Sequence, residues 1–348
     1  MTSIDIDRLK DFIGSLLKTA DVRPDVADVV TRVLVQGDQL GQHTHGVKLA
    51  RGYLRDLRSG HASADPQNLQ VLKSASSVRL YDAGYLLGPY VLDTVLGWAA
   101  GAAREHGVAI ANVNRSHHIA CLGAYLKQVV DQNLVCIIMS SDPAVASVAP
   151  FGGTRPMYTP NPVAVGIPGS PDPVLIDVSM SSITNGMVAK RRALGQRLDH
   201  PILQAADGTL TDDPAALSTE PPGTILPLGG QAYGHKGYAL GLMVEAMTSG
   251  LGGHGRKDKP KGWGASVHIQ VIDPEFLGGI DALKQELGLF AQGVADNPPI
   301  DPKRPPRVPG AQGMAKWRLA DQQGLTLPDD VLAELRAAAD EAGVPAPF

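Results

Sequence analysis

"VAIANVNRSHHIACLGAYLKQVVDQNLVCIIMS", residues 108–140, decides the fold class. Its first seven residues are a short apolar run rich in β-branched side chains, which predicts a buried strand. Residues 119–133 place apolar side chains at helical spacing, and 134–140 form a second buried strand. Strand, helix and strand of these lengths predict an α/β core. Between the first strand and the helix sit two adjacent histidines, His117 and His118. Strand ends in α/β folds are where ligands bind.

Upstream, residues 4–60 predict helices. Ile6, Leu9, Phe12, Ile13, Leu16 and Leu17 recur at helical spacing, and a second such set follows Pro24. A third helix is expected over 47–57. "NLQVLKSASSVRLYDA" predicts two short strands joined by a Ser-rich turn, and 88–107 a helix ending at Gly107. Downstream, strands are expected at 163–168, 174–179 and 267–272, and helices over "ITNGMVAKRRALG", 236–250, 279–294 and about 328–342. Residues 198–232, rich in Asp, Gly, Pro and Thr, read as a long loop, and 296–310 as extended and Pro-rich. The order of elements predicts that the N- and C-terminal helices (1–64 and about 310–348) pack together beside an α/β body (65–309).

The 348 residues are 43% hydrophobic and 19% charged with a formal net charge of −4, so a packed core is expected and disorder is not. No basic stripe with interleaved aromatics suggests nucleic acid as a partner. No stretch of roughly 18 apolar residues suggests a membrane span. The acidic N-terminus has no apolar core of a signal peptide. Cys121 and Cys136 each lie in an apolar run and read as buried free thiols, and a reducing cytoplasm is the expected location.

A second histidine cluster, "HTHGVKLARGY" at 43–53, raises three readings for His43 and His45: metal ligands, acid/base groups, or packing. The pair shares a face only on a strand. Neither cluster carries H-E-x-x-H, C-x-x-C or neighbouring acids, so no metal site is predicted, and a metal-dependent hydrolase or lyase is the weaker alternative. A histidine titrating near neutrality can exchange a proton with an alcohol, ketone or imine. Thr44–His45–Gly46 sits at a helix boundary, and His118 follows a strand. Lys236, between glycines in "GHKGY", reads as an anion-binding lysine at a helix start or as a solvated one. Asp177 ends the run "VLIDVS" and could hold ribose hydroxyls or cap the helix that follows. The literal G-x-G-x-x-G at Gly250, Gly252 and Gly255 follows a helix rather than a strand, so it does not read as a dinucleotide fingerprint.

Taken together, these motifs resemble the type 2 malate/L-lactate dehydrogenase family, nearly end to end. Asp38, Gly41, Thr44, His45, Gly46 and Tyr53 resemble its D-x-R-G-x-x-S-H-G segment and following tyrosine. "NRSHHIACLG" resembles its N-S-x-H-F-G region, with His118 on the family histidine. "PFGGTRPMYTPNP", "DVSMSSITNG", "LPLGGQAYGHKGY" and Pro309–Gly310 resemble further family segments. The resemblance implies an NAD(P)-dependent oxidoreductase with a non-Rossmann, mixed-sheet α/β cofactor domain flanked by helices, assembled as a homodimer. It implies a 2-oxo acid, 2-hydroxy acid or cyclic imine as substrate. It makes His45 or His118 the proton carrier, with Thr44 and Tyr53 orienting it. It assigns the cofactor to Ser141, Asp142, Asp177, Val178, Ser179, His235, Lys236, Gly237 and Gly310, and the substrate to Asn161, with Lys48 or Arg51 as candidate stand-ins for a family arginine. NAD and NADP both remain open; Lys190, Arg191 and Arg192 are either a 2′-phosphate site or an exposed basic face. Where the family has an arginine four residues after the first histidine, this chain has Leu49. A non-catalytic, metabolite-binding homologue is a further alternative.

Overall fold

The computed structural model describes residues 3–348. The chain opens with β1 (Ser3–Ile4), α1 (Ile6–Lys18), α2 (Pro24–Gln39) and α3 (Ala50–Arg58). The Asp5 carboxylate accepts the Asp7 and Arg8 N–H groups, satisfying donors that the first turn of α1 leaves free. Pro24, with its preset φ and no N–H, starts α2. Leu9, Phe12, Ile13, Leu16 and Leu17 are all buried, as their spacing predicts.

The body is a seven-stranded sheet with α-helices between its strands. In chain order come β2 (Gln70–Ser74), β3 (Val78–Asp82), α4 (Gly88–His106), β4 (Val108–Ser116), α5 (Leu122–Val130), β5 (Val135–Ser141), β6 (Val163–Ile167), β7 (Val174–Val178) and α6 (Asn185–Ala193). A small three-stranded sheet follows: β8 (Leu203–Gln204), β9 (Leu210–Thr211) and β10 (Thr224–Ile225). The chain ends with α7 (Gly230–Glu245), β11 (Ala265–Ile272), α8 (Ile280–Ala295), α9 (Ala311–Gln323), β12 (Leu325–Thr326) and α10 (Asp329–Ala342).

Strand order in the large sheet is β2-β3-β4-β11-β5-β6-β7. Only β3 and β4 run parallel; every other neighbouring pair is antiparallel. The strand–helix–strand unit at 108–141 therefore does not make an adjacent parallel pair. β11 enters between β4 and β5 and runs antiparallel to both. This mixed order is not a doubly wound dinucleotide fold, as the resemblance implies. α4 and α5 cover the sheet, and α2 packs on both. The apolar positions Ala265, Val267, Ile269 and Val271 of β11 are buried in this core.

The alternate positions of β11 (Ser266, His268 and Gln270) and of the second half of β4 (Asn112 and Asn114) are polar. Asn112 donates to the carbonyls of Met247 and Thr248, and Asn114 to that of Gly252. These acceptors lie in and just after a π-helical segment, Ala246–Gly250, that continues α7. A π turn disturbs the regular helical ladder, and the two asparagines satisfy carbonyls there.

α10 packs on α1 and α3, α9 packs on α2, and β1 pairs with β12. The first and last segments of the chain are thus in contact. Three expectations need correction. Residues 198–232 are not a plain loop: β8–β10 and a short 3₁₀ turn enclose Leu203 and Ile225 in a small core of their own. α7 starts at Gly230, before the expected 236, and kinks at Tyr233 (φ −127°, ψ 15°), so Lys236 lies in the first turn after the kink. α5 starts at Leu122, because Ala120 is left-handed (φ 57°) and Cys121 is extended. Cys121 and Cys136 are free and buried. Among the described residues no helix is long and apolar enough to cross a membrane.

Gly107 ends α4 in the left-handed region (φ 82°), and its N–H bonds the Ala103 carbonyl. A Cβ there would lie 2.9 Å from the Phe276 ring. Gly107→Ala is expected to cost about 1–2 kcal/mol in urea unfolding. A loss below about 0.3 kcal/mol would contradict this account of the cap.

Candidate active site

β4 and β5 end where β11 begins: Ser116 pairs with Ala265, and Ser141 with Ser266. The segments leaving these strands therefore meet at one sheet edge. There they line a cleft of about 430 Å³ with the turn that follows α2. Thr44, His45, His118, Ser141, Asp142, Asp177 and Ser179, separated by up to 135 positions (179 minus 44), all face it.

The first histidine cluster is placed by a buried acid. Asp38, near the end of α2, has a fully buried side chain. One carboxylate oxygen accepts His43 Nδ1 at 2.8 Å and the other the Val47 N–H at 2.6 Å. Gly46 lies so close that a Cβ would sit 2.1 Å from Asp38 Oδ2, so only glycine fits there. Burial raises the Asp38 carboxyl above its usual range, and these two hydrogen bonds oppose that. His43 and His45 lie on a 3₁₀ turn and separate: His43 turns back to Asp38, and His45 reaches the cleft. No group of three His, Cys, Asp or Glu side chains among the described residues is arranged to hold a metal ion.

His45 Nδ1 is 2.9 Å from Thr44 Oγ1. Its ring stacks with that of His118, centroids 5.8 Å apart. His118 in turn stacks on Trp263 at 3.9 Å. The Ala120 N–H approaches His118 Nδ1 at 3.3 Å, and the Tyr53 hydroxyl lies 3.1 Å from the same nitrogen. Tyr53 also donates to the His118 carbonyl at 2.9 Å. A backbone N–H can only donate, so the Ala120 contact favours Nδ1 as an acceptor and the neutral ring's proton on Nε2, with the Tyr53 proton directed to the carbonyl. Burial holds His118 well below the usual histidine range, with the charges of His45 and His117 adding to the effect. Burial also lowers His45. Tyr53 itself is buried and meets His118 from behind. His117 points away from the cleft, with Nε2 at 3.1 Å from Asp56 Oδ2 on α3.

Asp177 is the next-to-last residue of β7, and its Oδ2 accepts the Gly123 N–H at 2.9 Å. It therefore caps α5, not the helix that follows it, which Thr184 caps. Asp177 is open to the cleft yet enclosed by protein on most sides, and this pushes its carboxyl up to about 6. Burial also raises Asp142, whose Oδ1 accepts the Ala144 N–H. Ser141 Oγ lies 2.9 Å from Thr248 Oγ1.

Asp177 and Gln42 also border a second chamber of about 500 Å³. Val178 and Gly310 line it, together with two cations, Arg307 and Lys316. Between them the two walls offer a pair of cations, the shared Asp177 carboxylate, and the flat surfaces of Trp263 and the two imidazoles.

Several expected site residues lie elsewhere. Lys48 pairs with Asp330 at 2.9 Å, and Arg51 with Glu334 at 3.0 Å and with Glu341; both tie to α10 and neither faces the cleft. Asn161 is fully buried, donates to the Gly241 carbonyl and Glu245, and accepts from Thr159 Oγ1, so it braces the wall from behind. His235 and Lys236 are exposed on α7, beside Phe151 and Tyr233 respectively, and Gly237 packs on Leu228. None of the three faces either chamber. Lys190 pairs with Asp330, Arg191 with Asp199, and Arg192 with Ser218, so the basic face of α6 is bound up in surface contacts.

Sequence reasoning missed Trp263, Gln42, Arg307 and Lys316. A lone tryptophan among the glycines and lysines of "KPKGWG" was the available signal.

Comparison with known proteins agrees with this architecture. The family described as malate/L-lactate dehydrogenase matches residues 4–336. The chain is 33% identical over 342 residues to the Delta(1)-pyrroline-2-carboxylate/Delta(1)-piperideine-2-carboxylate reductase of Pseudomonas putida, covering 93% of this chain and 94% of that one. It is 32% identical over 325 residues to the (2R)-3-sulfolactate dehydrogenase (NADP(+)) of Chromohalobacter salexigens, covering 89% and 90%. The malate dehydrogenase of Entamoeba histolytica superposes with a TM-score of 0.92, covering 100% and 99%, at 22% identity, a likeness of fold. A match across nearly the whole chain, on the same mixed sheet, places this protein in the malate/L-lactate dehydrogenase family of dehydrogenases and reductases.

Proposed function

We propose that the protein is an NAD(P)-dependent oxidoreductase acting on a small 2-hydroxy or 2-oxo compound or a cyclic imine. One observation carries this reading: a histidine pair and a cation pair line two chambers whose walls share Asp177 and Gln42. The phosphate-bearing half of the cofactor would lie by Arg307, Lys316 and Gly310, with Val178 beside it. Asp177 would hold a ribose hydroxyl, and Ser141, Asp142 and Ser179 would flank the nicotinamide end. When bound, the nicotinamide supplies or accepts a hydride. The metal-dependent alternative gains no support from the separated histidines.

The two histidines take different tasks. His118, neutral with its proton on Nε2, donates a hydrogen bond to the substrate oxygen or nitrogen. It stabilises negative charge that develops there as the carbon gains hydride and the π pair moves to the heteroatom. Charging the ring would set an Nδ1–H against the Ala120 N–H, so His118 is poorly suited to carry the proton. His45 has no such fixed donor. Its partner, the Thr44 hydroxyl, can accept or donate and so tolerates both protonation states. His45 therefore delivers the proton in reduction and removes it in oxidation. Tyr53 and Ala120 keep the His118 ring in place. Trp263 covers it and limits water.

We place the enzyme in the cytoplasm, where its two free thiols stay reduced. We also propose a homodimer. α8 has no buried residue, and Leu289 and Phe290 are each 67% exposed, an apolar face that a second copy would cover.

His45→Ala should lower turnover by about 10²–10⁴-fold and abolish the pH-dependent limb. His118→Ala should lower it by about 10²–10³-fold and leave that limb in place. Retention of near-normal turnover by both variants would refute the mechanism. Burial lowers the pKa of His45, so its neutral form persists below the usual histidine value of about 6.5. Steady-state oxidation should stay flat from high pH down past that value, then fall as His45 protonates. Reduction should slow as pH rises through the lowered pKa. A reversed order would contradict the assignment. Lys48→Met should leave KM within about three-fold of the parent; a rise of about 100-fold would restore Lys48 as a substrate ligand.

A further inference from the structure

The charge of the two chambers is segregated. Arg307 and Lys316 line the one beside Gly310, whereas no lysine or arginine among the described residues lines the histidine cleft. Leu49, four residues after His45, forms part of that cleft's wall. The cations on either side of it, Lys48 and Arg51, are turned to the acids of α10. Arg256 bonds the Asp142 and Val145 carbonyls, but its remaining donors are held by Glu245. Two carboxylates, Asp142 and Asp177, face the cleft instead. A substrate carboxylate entering here would leave water for a wall that offers the apolar Leu49, two like charges and neutral polar groups, with no lysine or arginine and only the proton-carrying His45 to oppose its charge. Burying an anion without a partner is costly.

We infer that the compound turned over in this cleft is uncharged, with an amide, ester, ketone or unsubstituted cyclic imine where the named relatives' substrates carry an acid, and that Leu49 sets this preference. The inference rests on the oxidoreductase reading of the same cleft. A neutral carbonyl needs no ion pair: the His118 N–H meets its oxygen, and Leu49 packs its flank.

The test compares pyruvate with pyruvamide, which has nearly the same shape and no charge, and with methyl pyruvate. Each is offered with NADH and with NADPH. The parent protein should favour both neutral compounds by at least about 10-fold in kcat/KM, and Leu49→Arg should move the ratio toward pyruvate by on the order of 10². Leu49→Gln, polar but uncharged, should keep the neutral preference. A parent protein that favours pyruvate by 10-fold or more overturns the inference, and this comparison needs no variant to fold. Binding gives an independent readout. In a Trp98→Phe, Trp317→Phe chain, Trp263 is the remaining tryptophan and lies against His118. Pyruvamide should quench it at lower concentration than pyruvate. Quenching without turnover of any compound removes the hydride-transfer reading and leaves the neutral cleft standing. Quenching that favours pyruvate, or none by any of the three, removes the neutral cleft.

Discussion

The site depends on one constraint of the sheet: β11 lies between β4 and β5 and runs against both. β4 and β5 are therefore parallel without touching, and the chain between them must cross over through α5. Because β11 starts where its neighbours end, three connections emerge at one edge. They bring His118, Asp142 and Trp263 to the same cleft. The buried Asp38 supplies the fourth wall by holding the turn that carries Thr44 and His45. A slip of one residue in the β11 register would move its apolar side chains to the wrong face of the sheet, so burial maintains the geometry of the site.

Within that frame, electrostatics divides the labour. The cations Arg307 and Lys316 line one chamber and the imidazoles of His45 and His118 the other, and the proposed function assigns phosphates to the first and the reacting carbonyl or imine to the second. The ring nitrogens of His118 are distinguished by the backbone, because the Ala120 N–H occupies Nδ1 and leaves Nε2, the atom to which the proposed mechanism gives the substrate, without that contact. The same loop geometry that shortens α5 makes this contact. Ala120 in the left-handed region interrupts the helix and turns its N–H back toward the ring.

The strands at 108–141 were legible because fully buried strands read as continuous apolar runs. The insertion of β11 was not, since its pairing lies more than a hundred residues away and leaves no local trace. Residues 198–232 misled because strands of two residues carry too few side chains for an alternating pattern. His45, His118 and Asp177 could be picked out by type and by position near predicted element ends. Lys48 and Arg51 could not be rejected, because only the docking of α10 shows their charges already paired. Trp263 and Lys316 reach the site through tertiary packing, which local pattern does not encode.

The most direct measurement is a fluorescence titration, with NADH and with NADPH, of the Trp98→Phe, Trp317→Phe protein, whose remaining tryptophan is Trp263. Trp263 emission should fall saturably with one of them, with a matching rise in emission from the bound nicotinamide. This would place the nicotinamide end beside His118. Binding of neither, with calorimetry also flat, would contradict the claim that the two chambers form a dinucleotide site.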